Sequence, residues 1–469
     1  MSVSVDREPS VRSTEEAGGV RVWLWGWRDP DARNGIADLQ ARGVISVLKW
    51  VADTPRVDSS FVRFLYNHPD LGQSELWQRD SGLTSEELVK FLEMFSRESR
   101  SRGVDFHEQA HVAKVYFRHF THELQRQRIQ HVLFELCPIT GLDYILYVAA
   151  MRLGIATTMC LQSTIPGRFH YCHTLEDFGS FESARAEQQE VPMPAIEWGF
   201  RKRLFYMDSK SGRYPPNFGY KWPRFLKELW RHGPRTSKRP LRLSGVFENL
   251  LQGIDFDRGY AALAVGDGGI DWSAKYVYFP LHLQPELTTS GLGGRFSDQL
   301  DAIDELVAML PQGWLVYAKE NPKQGCEQRG REFFNRLRSM SRVRYLRKDV
   351  DTYKLLEGCQ FVATITGTAG WEAVTGGKPC LVFGYPWYAS IPGVTRYRPG
   401  LTVEQVCANV SGRDEVLAAY RRMVQKTRRG VLDMLYAGTW DEYEASSNAR
   451  DIAAFIAEVV QTQVPQASC

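Results

Sequence analysis

Short apolar runs alternate with amphipathic stretches along this chain of 469 residues. In the first half, runs rich in β-branched and aromatic residues predict buried strands at 20–27, 44–51, 131–136 and 155–161. Helical periodicity beside these runs predicts helices at 35–42, 83–97, 104–124 and 142–153. Because strands and helices alternate in this way, the pattern favours a parallel sheet with crossover helices.

The second half of the chain repeats the alternation. Its strands are predicted at 275–279, 314–319, 343–346, 360–365 and 380–383. Its helices are predicted at 297–310, 327–340, 352–357 and 369–375, followed by closing helices at 414–426 and 445–460. We therefore expect an α/β protein with two Rossmann-like domains. The predicted division is a disordered tail at 1–19, domains at 20–200 and 271–400, a linker at 201–270 and C-terminal helices at 401–469.

The composition is that of a globular protein, with 43% hydrophobic and 24% charged residues. No stretch approaches the roughly 18 to 20 apolar residues that a membrane-spanning helix needs. Eight scattered cysteines without a C-x-x-C pair favour reduced thiols over a disulfide framework. The polar residues 1–19 lack the apolar centre of a signal peptide. These features predict a cytoplasmic protein, with peripheral contact to the inner membrane face as an option.

Positive charge is concentrated between Arg201 and Arg242, where thirteen Lys and Arg residues accompany only Asp208 and Glu228. Eight aromatic residues are interleaved with these charges. Such a segment suits an anionic polysaccharide or an anionic membrane surface. A solvated linker helix whose aromatic residues pack on a domain explains the pattern equally well. No nucleic-acid-binding signature accompanies the charge, so no nucleic acid partner is expected.

The most informative motif spans 360–388 and is typical of a strand, a tight turn, a short helix and a second strand. The turn is formed by Thr366, Gly367 and Thr368. Backbone N–H groups at a helix start are unpaired and carry partial positive charge, so they bind phosphate or carboxylate groups well. Glu372 lies one turn into the helix and is placed to accept hydrogen bonds from a sugar hydroxyl. An ordinary βαβ unit with a glycine-capped helix gives the same pattern without a ligand.

Residues 367–384, GTAGWEAVTGGKPCLVFG, resemble the C-terminal signature of the bacterial capsule polysaccharide synthesis family, glycosyltransferases of the Kdo-transferase type. The segments 278–286 (YFPLHLQPE) and 317–322 (YAKENP) resemble motifs of the same family in the same order. A weaker similarity lies around 137–155, and the main resemblance covers roughly residues 275–390. It implies a GT-B-like fold, in which two Rossmann-like domains face a cleft. It also implies transfer of a sugar from a nucleotide-activated donor to a growing capsule or surface polysaccharide.

The three motifs all follow predicted strands, and ligands of open α/β sheets bind at the carboxyl ends of strands. The resemblance implies a donor of the CMP-Kdo type or a related nucleotide sugar. We expect a metal-independent mechanism and no further cofactor. The acceptor would be a polysaccharide or a glycolipid. The expected donor-binding residues are Lys319, Glu320, Asn321, Thr366, Gly367, Thr368, Ala369, Gly370 and Glu372.

Glycosyl transfer also needs a group that takes the proton of the acceptor hydroxyl. The candidates are Glu286, His282 and Glu135, the last of which follows a predicted strand of the first domain. His282 lies between two leucines and is equally typical of a core histidine. Glu135 is equally typical of a residue that caps the following turn.

The chain departs from the family at Asn321, where the family usually has histidine in a Lys-Glu-His-Pro motif. Asparagine can donate a hydrogen bond to a phosphate oxygen, but it carries no positive charge and transfers no proton. This departure leaves a second hypothesis open. The chain would then be a catalytically degenerate protein of the same fold that binds polysaccharide or acts as a scaffold.

A different enzyme class is suggested by His107, Glu108 and His111, which fit the H-E-x-x-H pattern of zinc peptidases. Two histidines one helical turn apart would bind zinc, and the glutamate would activate water. The neighbouring residues do not continue the longer peptidase motif, and further histidines at 119 and 122 lie on the same predicted helix. An exposed polar helix face therefore explains the pattern more simply.

Overall fold

The computed structural model describes residues 19–52, 82–95, 106–163, 165–188, 190–200, 243–284, 287–326 and 328–463. The tail predicted at 1–19, apart from its last residue, lies outside the described residues, and so does the basic segment 201–242.

Six strands form the first sheet: β1 (Val20–Trp25), β2 (Ile45–Val51), β3 (His131–Phe134), β4 (Ala156–Gln162), β5 (Arg168–Cys172) and β12 (Arg428–Arg429). Their order across the sheet is β12-β5-β4-β3-β1-β2. The first four strands pair in parallel, whereas β5 runs antiparallel to both of its neighbours. The parallel core of this sheet confirms the first predicted Rossmann-like domain.

The described residues of this domain form the helices α1 (Pro30–Ala41), α2 (Ser85–Phe95), α3 (Phe106–Arg126) and α4 (Gly141–Arg152). Helix α4 begins where it does because Thr140 and Asp143 form a capping box, in which each side chain accepts the other's backbone N–H. Its residues 141–150 are all buried, as expected for a helix enclosed between the sheet and the helices α2 and α3.

The second sheet is entirely parallel and consists of β6 (Tyr276–Pro280), β7 (Leu315–Lys319), β8 (Val343–Leu346), β9 (Val362–Thr364), β10 (Cys380–Val382) and β11 (Val394–Arg396). Its order is β11-β10-β9-β6-β7-β8, the strand order of a Rossmann fold. Side chains of both sheet faces are buried in hydrophobic clusters, which is what parallel sheets require.

In the part of the chain that the structure describes, the helices that accompany this sheet are α5 (Leu243–Leu263), α6 (Leu287–Ser290), α7 (Gln299–Met309), α8 (Arg331–Ser339), α9 (Thr352–Gly358), α10 (Thr368–Thr375) and α11 (Val403–Ala408). Helix α5 lies in the region predicted as linker and packs on α8. The GT-B-like prediction of two Rossmann-like domains is thus confirmed.

The end of the chain returns to the first domain through α12 (Arg413–Gln425), β12 and α13 (Ala445–Gln463). Helix α13 packs along α1, and β12 extends the first sheet. Trp371 of α10 contacts Tyr420 of α12, with ring centroids 5.4 Å apart. The returning helices therefore connect both domains. Among the helices of the described residues, none is long and apolar enough to cross a membrane.

Candidate active site

Each sheet has one place where the chain reverses the direction in which it adds strands. In the first sheet this switch point lies between β1 and β3, and in the second it lies between β6 and β9. Ligands of open α/β sheets bind outside the carboxyl ends of the strands at such switch points. The residues that follow these four strands are therefore the first place to look for a site.

After β9, the chain makes the turn at Thr366 and Gly367 and enters α10. Gly367 is the N-cap residue and brings no capping side chain, so the first N–H groups of α10 are left to other partners. The Gly367 N–H donates to Thr364 Oγ1 at 3.1 Å, and its carbonyl accepts from Tyr388 Oη. Thr368 and Ala369 follow at half-buried positions. Thr364 and Tyr388 thus hold the turn in place, while the start of α10 stays accessible to an anion.

Gly370 explains how closely α10 approaches β10. A Cβ atom at this position would lie 2.7 Å from the Cys380 sulfur and would also meet Tyr388 Oη. Glu372, one turn further on, is buried at 6% exposure. The predicted donor-binding residues from Thr366 to Glu372 therefore form one continuous turn and helix start at the switch point of the second sheet.

His282 follows β6 and supports the same turn from the other strand. Its Nε2 lies 3.0 Å from Thr364 Oγ1 and accepts the Thr366 N–H at 3.3 Å. Burial, together with the nearby Arg329 cation, lowers the pKa of His282 to about 4. The imidazole is therefore neutral at pH 7 and a weak proton acceptor. Its catalytic role stays a prediction, and its contacts give it a positioning role at the turn.

Glu320 is completely enclosed and is bound by groups of the protein. Its carboxylate accepts from Arg329 Nε at 2.9 Å and from Tyr345 Oη at 2.8 Å. The Asn321 N–H also donates to it, at 2.7 Å. Both members of the Arg329–Glu320 ion pair have side chains that are 0% exposed. Direct donor binding by Glu320 stays a prediction. In the structure its carboxylate binds protein groups and so supports the segment that follows β7.

The guanidinium of Arg329 connects two of the sequence motifs. Besides Glu320, it donates to Gln284 Oε1 at 2.5 Å and to the His282 carbonyl at 3.3 Å. The side-chain amide of Gln324 accepts the Gln284 N–H at 2.7 Å and donates to the Gln284 carbonyl at 3.0 Å. The segment after β6 and the segment after β7 are thus joined by buried polar contacts. Because these buried polar groups hydrogen-bond one another, the network can hold the two segments in one arrangement.

Lys319 lies at the end of β7, one strand away from the switch point. Its ammonium donates to Thr352 Oγ1 at 2.5 Å, at the start of α9. Burial lowers the pKa of Lys319 to about 8, while Asp351 and Asp349 act in the opposite direction. The structure therefore directs this cation toward α9. Its contact with a donor stays a prediction.

Asn321 forms the turn that follows Lys319 and Glu320. Its Oδ1 accepts the Lys323 N–H at 2.9 Å, and its carbonyl accepts the Gln324 N–H at 3.0 Å. Asparagine is a common residue in such turns because its side chain hydrogen-bonds the backbone two residues on. The residue that departs from the family motif thus has a structural role here, and its predicted donor contact stays untested.

Glu135 lies at the switch point of the first sheet, one residue beyond β3. Its carboxylate accepts the Arg28 N–H at 2.9 Å, and its own N–H donates to the Trp25 carbonyl at 2.9 Å. Burial, reinforced by the neighbouring Asp29 carboxylate, raises the pKa of Glu135 to about 7. A carboxylate with this pKa exchanges protons near neutral pH, as a general base must.

The turn after β1 is shaped around this carboxylate. Gly26 has a φ of +87°, and a Cβ atom there would lie 2.7 Å from Glu135 Oε2. Trp27 is a non-glycine residue with a φ of +58°, held in place by an indole N–H bond to the Leu133 carbonyl at 3.0 Å. Backbone strain of this kind is concentrated at functional sites. The sequence pattern predicted a strand through residue 27 and did not predict this turn, although Gly26 within that run was a signal for it.

Two further hypotheses from the sequence concern Glu286 and the H-E-x-x-H pattern, and the role of Glu286 stays a prediction. Glu286 lies outside the described residues. His107 and Glu108 are exposed at the start of α3. Among the residues that the structure describes, no three His, Cys, Asp or Glu side chains are close enough together to hold a metal ion. The H-E-x-x-H pattern therefore gains no third ligand from them.

The fold and the two switch-point sites define an α/β protein of the GT-B-like class. Residues 289–427 match the model of the family described as capsule polysaccharide biosynthesis protein. The predicted family resemblance is confirmed. The matched region contains β7, β9, β10 and the turn at 366–370.

Two relatives are capsule polysaccharide modification proteins LipA from Neisseria meningitidis. The serogroup B protein is 32% identical over 161 residues, and the serogroup A protein is 27% identical over the same length. Each alignment covers 34% of this chain and 19% of the relative. The chain therefore matches only about a fifth of the length of these proteins.

Solved structures show similarity at low identity. One is the beta Kdo 2,4 transferase KpsC of Thermosulfurimonas dismutans, with a TM-score of 0.30, 13% identity, and coverage of 64% of this chain and 82% of that one. Another is the UDP-GlcNAc 2-epimerase of Methanocaldococcus jannaschii, with a TM-score of 0.21, 10% identity, and coverage of 94% and 99%. At such TM-scores these two similarities decide nothing about activity.

Proposed function

We propose that this protein is a glycosyltransferase that moves a sugar from a nucleotide-activated donor to a bacterial capsule or surface polysaccharide. The observation that carries the proposal is the turn at 366–370, which lies at a topological switch point inside the capsule polysaccharide biosynthesis region. Its uncapped helix start offers N–H groups to a phosphate. The raised pKa of Glu135 at the other switch point supports an acid–base role in the same reaction.

Donor binding would place the nucleotide phosphate against the N–H groups at the start of α10. As the bond to the leaving nucleotide breaks, negative charge grows on the phosphate oxygens. Preorganised N–H dipoles stabilise that charge without reorganisation during the reaction. Glu372 would accept a hydrogen bond from a hydroxyl of the donor.

The transfer step breaks the bond between the anomeric carbon of the donor sugar and the phosphate oxygen. The electron pair of that bond leaves with the nucleotide. A new bond forms between the anomeric carbon and an acceptor hydroxyl oxygen, and the hydroxyl proton passes to the Glu135 carboxylate. The products are the glycosylated acceptor, the free nucleotide and a proton. Since N–H groups and cations of the chain stabilise the phosphate, we expect this step to be independent of metal ions.

The donor we propose is CMP-Kdo or a related nucleotide sugar, as the family resemblance implies. The basic segment 201–242, outside the described residues, is proposed to contact an anionic polysaccharide or membrane surface.

A degenerate polysaccharide-binding or scaffold protein is the second candidate, and Asn321 motivates it. The Asn321 side chain is engaged in its own turn and accepts from Lys323. In this second case the donor site would bind nucleotides without supporting sugar transfer.

A thermal-shift screen against CMP, CDP, UDP, GDP and ADP tests the donor site, with EDTA and with Mg²⁺. A nucleotide present at about 100 times its Kd adds roughly 2.7 kcal/mol of stability, which raises the midpoint by a few degrees. We expect a shift from one nucleotide, of equal size in EDTA and in Mg²⁺. The absence of a shift from every nucleotide would contradict a donor site at 366–370.

Gly367→Ala is expected to weaken binding of that nucleotide by about ten-fold or more. An added Cβ would lie 2.8 Å from Thr364 Oγ1 and 3.2 Å from His282 Nε2, so the turn must shift before the phosphate can bind. Isothermal titration of the variant measures the loss. Gly412→Ala is the matched control, since Gly412 is also a helix N-cap and its Cβ would meet nothing within 4 Å. Wild-type affinity in Gly367→Ala would remove this turn from the donor site.

A further inference from the structure

Lys90 is a buried cation at the boundary between the two domains. It lies on α2 of the first domain, and its side chain is only 13% exposed. Its ammonium donates to the Gly294 carbonyl of the second domain at 3.1 Å and lies 3.8 Å from Glu93. Burial lowers the pKa of Lys90. Because burying an ammonium group is costly, a lysine placed here calls for a reason other than packing.

The glycine-rich turn that Lys90 contacts lies against the donor turn. The Leu292 carbonyl accepts the Tyr385 N–H at 2.9 Å, directly beyond β10. A Cβ atom at Gly384 would lie 2.5 Å from that carbonyl and 2.8 Å from Thr366 Cγ2. The backbone at 292–294 therefore contacts the Lys90 ammonium at one end and, at the other, the segment at 384–385 that packs on Thr366.

Helix α2 makes a second polar contact with this region of the second domain. The Ser297 hydroxyl donates to Glu93 Oε1 at 2.5 Å, three residues along α2 from Lys90. Residues three apart lie on the same face of a helix. One face of α2 thus presents a cation and a carboxylate to the segment 294–297, which fixes α2 beside the donor site.

A nucleotide sugar brings at least one phosphate, and the cation predicted for it is directed elsewhere. Lys319 donates to Thr352 on the side of α9. We propose that Lys90 supplies the positive charge for the donor phosphate, so that the first domain takes part in donor binding. This inference rests on the donor site proposed above. The ammonium has three donors, so it can keep a contact with the glycine-rich turn while it binds a phosphate oxygen.

Titration of Lys90→Met with CMP and UDP tests the inference. Cytidine and uridine, which lack the phosphate, are titrated as controls, and ligand-observed NMR follows their binding. Loss of a hydrogen bond to a charged group is expected to weaken nucleotide binding by about ten- to a hundred-fold. Nucleoside binding should stay unchanged because no phosphate is present. Lys90→Arg should restore part of the loss because it keeps the charge. Thermal midpoints of all variants check that each one is folded.

Two control variants separate phosphate binding from structural support. Lys114→Met removes the same charge from an exposed position on α3 and should bind nucleotides as the wild type does. Ser297→Ala removes the hydrogen bond between Ser297 and Glu93 of α2 and leaves the charge of Lys90 in place. If Ser297→Ala and Lys90→Met lose equal affinity, or if Lys90→Met also loses nucleoside binding, α2 is only a structural support and the inference is wrong.

The remaining outcomes distinguish the inference from the proposed function. If the wild type binds a nucleotide and Lys90→Met binds it equally well, the inference is overturned and the donor site stands. If the wild type binds neither CMP nor UDP while another nucleotide of the screen binds, the same variants are titrated with that nucleotide and its nucleoside. If no nucleotide binds the wild type, the donor site and the role of Lys90 are both overturned.

Discussion

Glu135→Gln is expected to lower the rate of sugar transfer by about two to four orders of magnitude, the usual contribution of a general base. Glutamine is close to glutamate in size and can still accept the Arg28 N–H that binds the Glu135 carboxylate. It cannot take a proton at neutral pH. Glu135 is proposed to act on the acceptor hydroxyl and not on the donor phosphate, so nucleotide affinity should stay at the wild-type value. Steady-state kinetics and nucleotide titration on the same preparation measure the two effects.

The pH dependence of the wild type gives an independent reading of the same residue. A general base works in its ionised form, and the pKa of Glu135 is raised to about 7. The rate should therefore rise as pH increases through about 7 and fall as pH decreases below it. The acidic limb should disappear from the residual activity of Glu135→Gln. An acidic limb near pH 4 would instead point to a carboxylate with an ordinary pKa.

Glu176→Gln is the matched control for this substitution. Glu176 follows the antiparallel strand β5 of the first domain and accepts a hydrogen bond from Tyr147 Oη at 3.4 Å. The control should keep the wild-type rate and pH profile. Equal losses of rate in both variants would show that the first domain is sensitive to any loss of carboxylate charge. That result would contradict the role of Glu135 as the general base.

Arg329→Met is expected to destabilise the second domain by about 3–5 kcal/mol, the usual cost of breaking a buried ion pair on one side. The substitution leaves the Glu320 carboxylate at 0% exposure without its cation. It also removes the guanidinium bonds to Gln284 and to the His282 carbonyl. Urea denaturation followed by circular dichroism measures the loss as an earlier transition.

A second substitution checks that the effect comes from the uncompensated charge. Adding Glu320→Gln to Arg329→Met removes the buried charge, so the double variant should recover part of the lost stability. Arg347→Met is the control, because Arg347 pairs with Asp349 at the surface, with exposures of 52% and 66%. Exposed ion pairs contribute only about 0–1 kcal/mol. A loss in Arg329→Met no greater than that of Arg347→Met would contradict the supporting role of this cluster.

The alternation of the two domains was predictable because its signals are local. The β-branched run before Thr366 predicts a strand, and the Thr-Gly-Thr turn with the following helical residues predicts α10. The structure has β9 at Val362–Thr364 and α10 at Thr368–Thr375. The two switch points, in contrast, follow from the strand order of each sheet. That order depends on which strands pair, and no single segment of the sequence determines it.

The structural parts that the sequence analysis missed depend on contacts between distant residues. Strand β5 is short and finds its second neighbour in β12, since Arg428 pairs with Phe169 about 260 residues earlier. The side chain of Arg329 meets Gln284 across 45 residues. Lys90 reads as an ordinary charged residue of an amphipathic helix until the Gly294 carbonyl, 204 residues away, is placed beside it.

The predictions for single side chains depended on burial, which the sequence does not give. Lys319 and Glu320 were both predicted to meet the donor because they follow a strand. In the structure their charged groups contact Thr352 and Arg329. Glu135 was only one of three candidates for the base, and the tight enclosure by Gly26 distinguishes it. Residues at the same position relative to a strand thus differ in role because their hydrogen bonds and their burial differ.

The most direct test of the central claim is sugar transfer by the purified protein. The protein is incubated with CMP-Kdo, and separately with UDP-activated sugars, together with oligosaccharide fragments of a bacterial capsule. Mass spectrometry then follows the acceptor, and the released nucleotide is measured in parallel. We predict an acceptor product that is heavier by one sugar residue, with one nucleotide released for each sugar added. Nucleotide binding without any modified acceptor would contradict a transferase and favour the degenerate polysaccharide-binding protein.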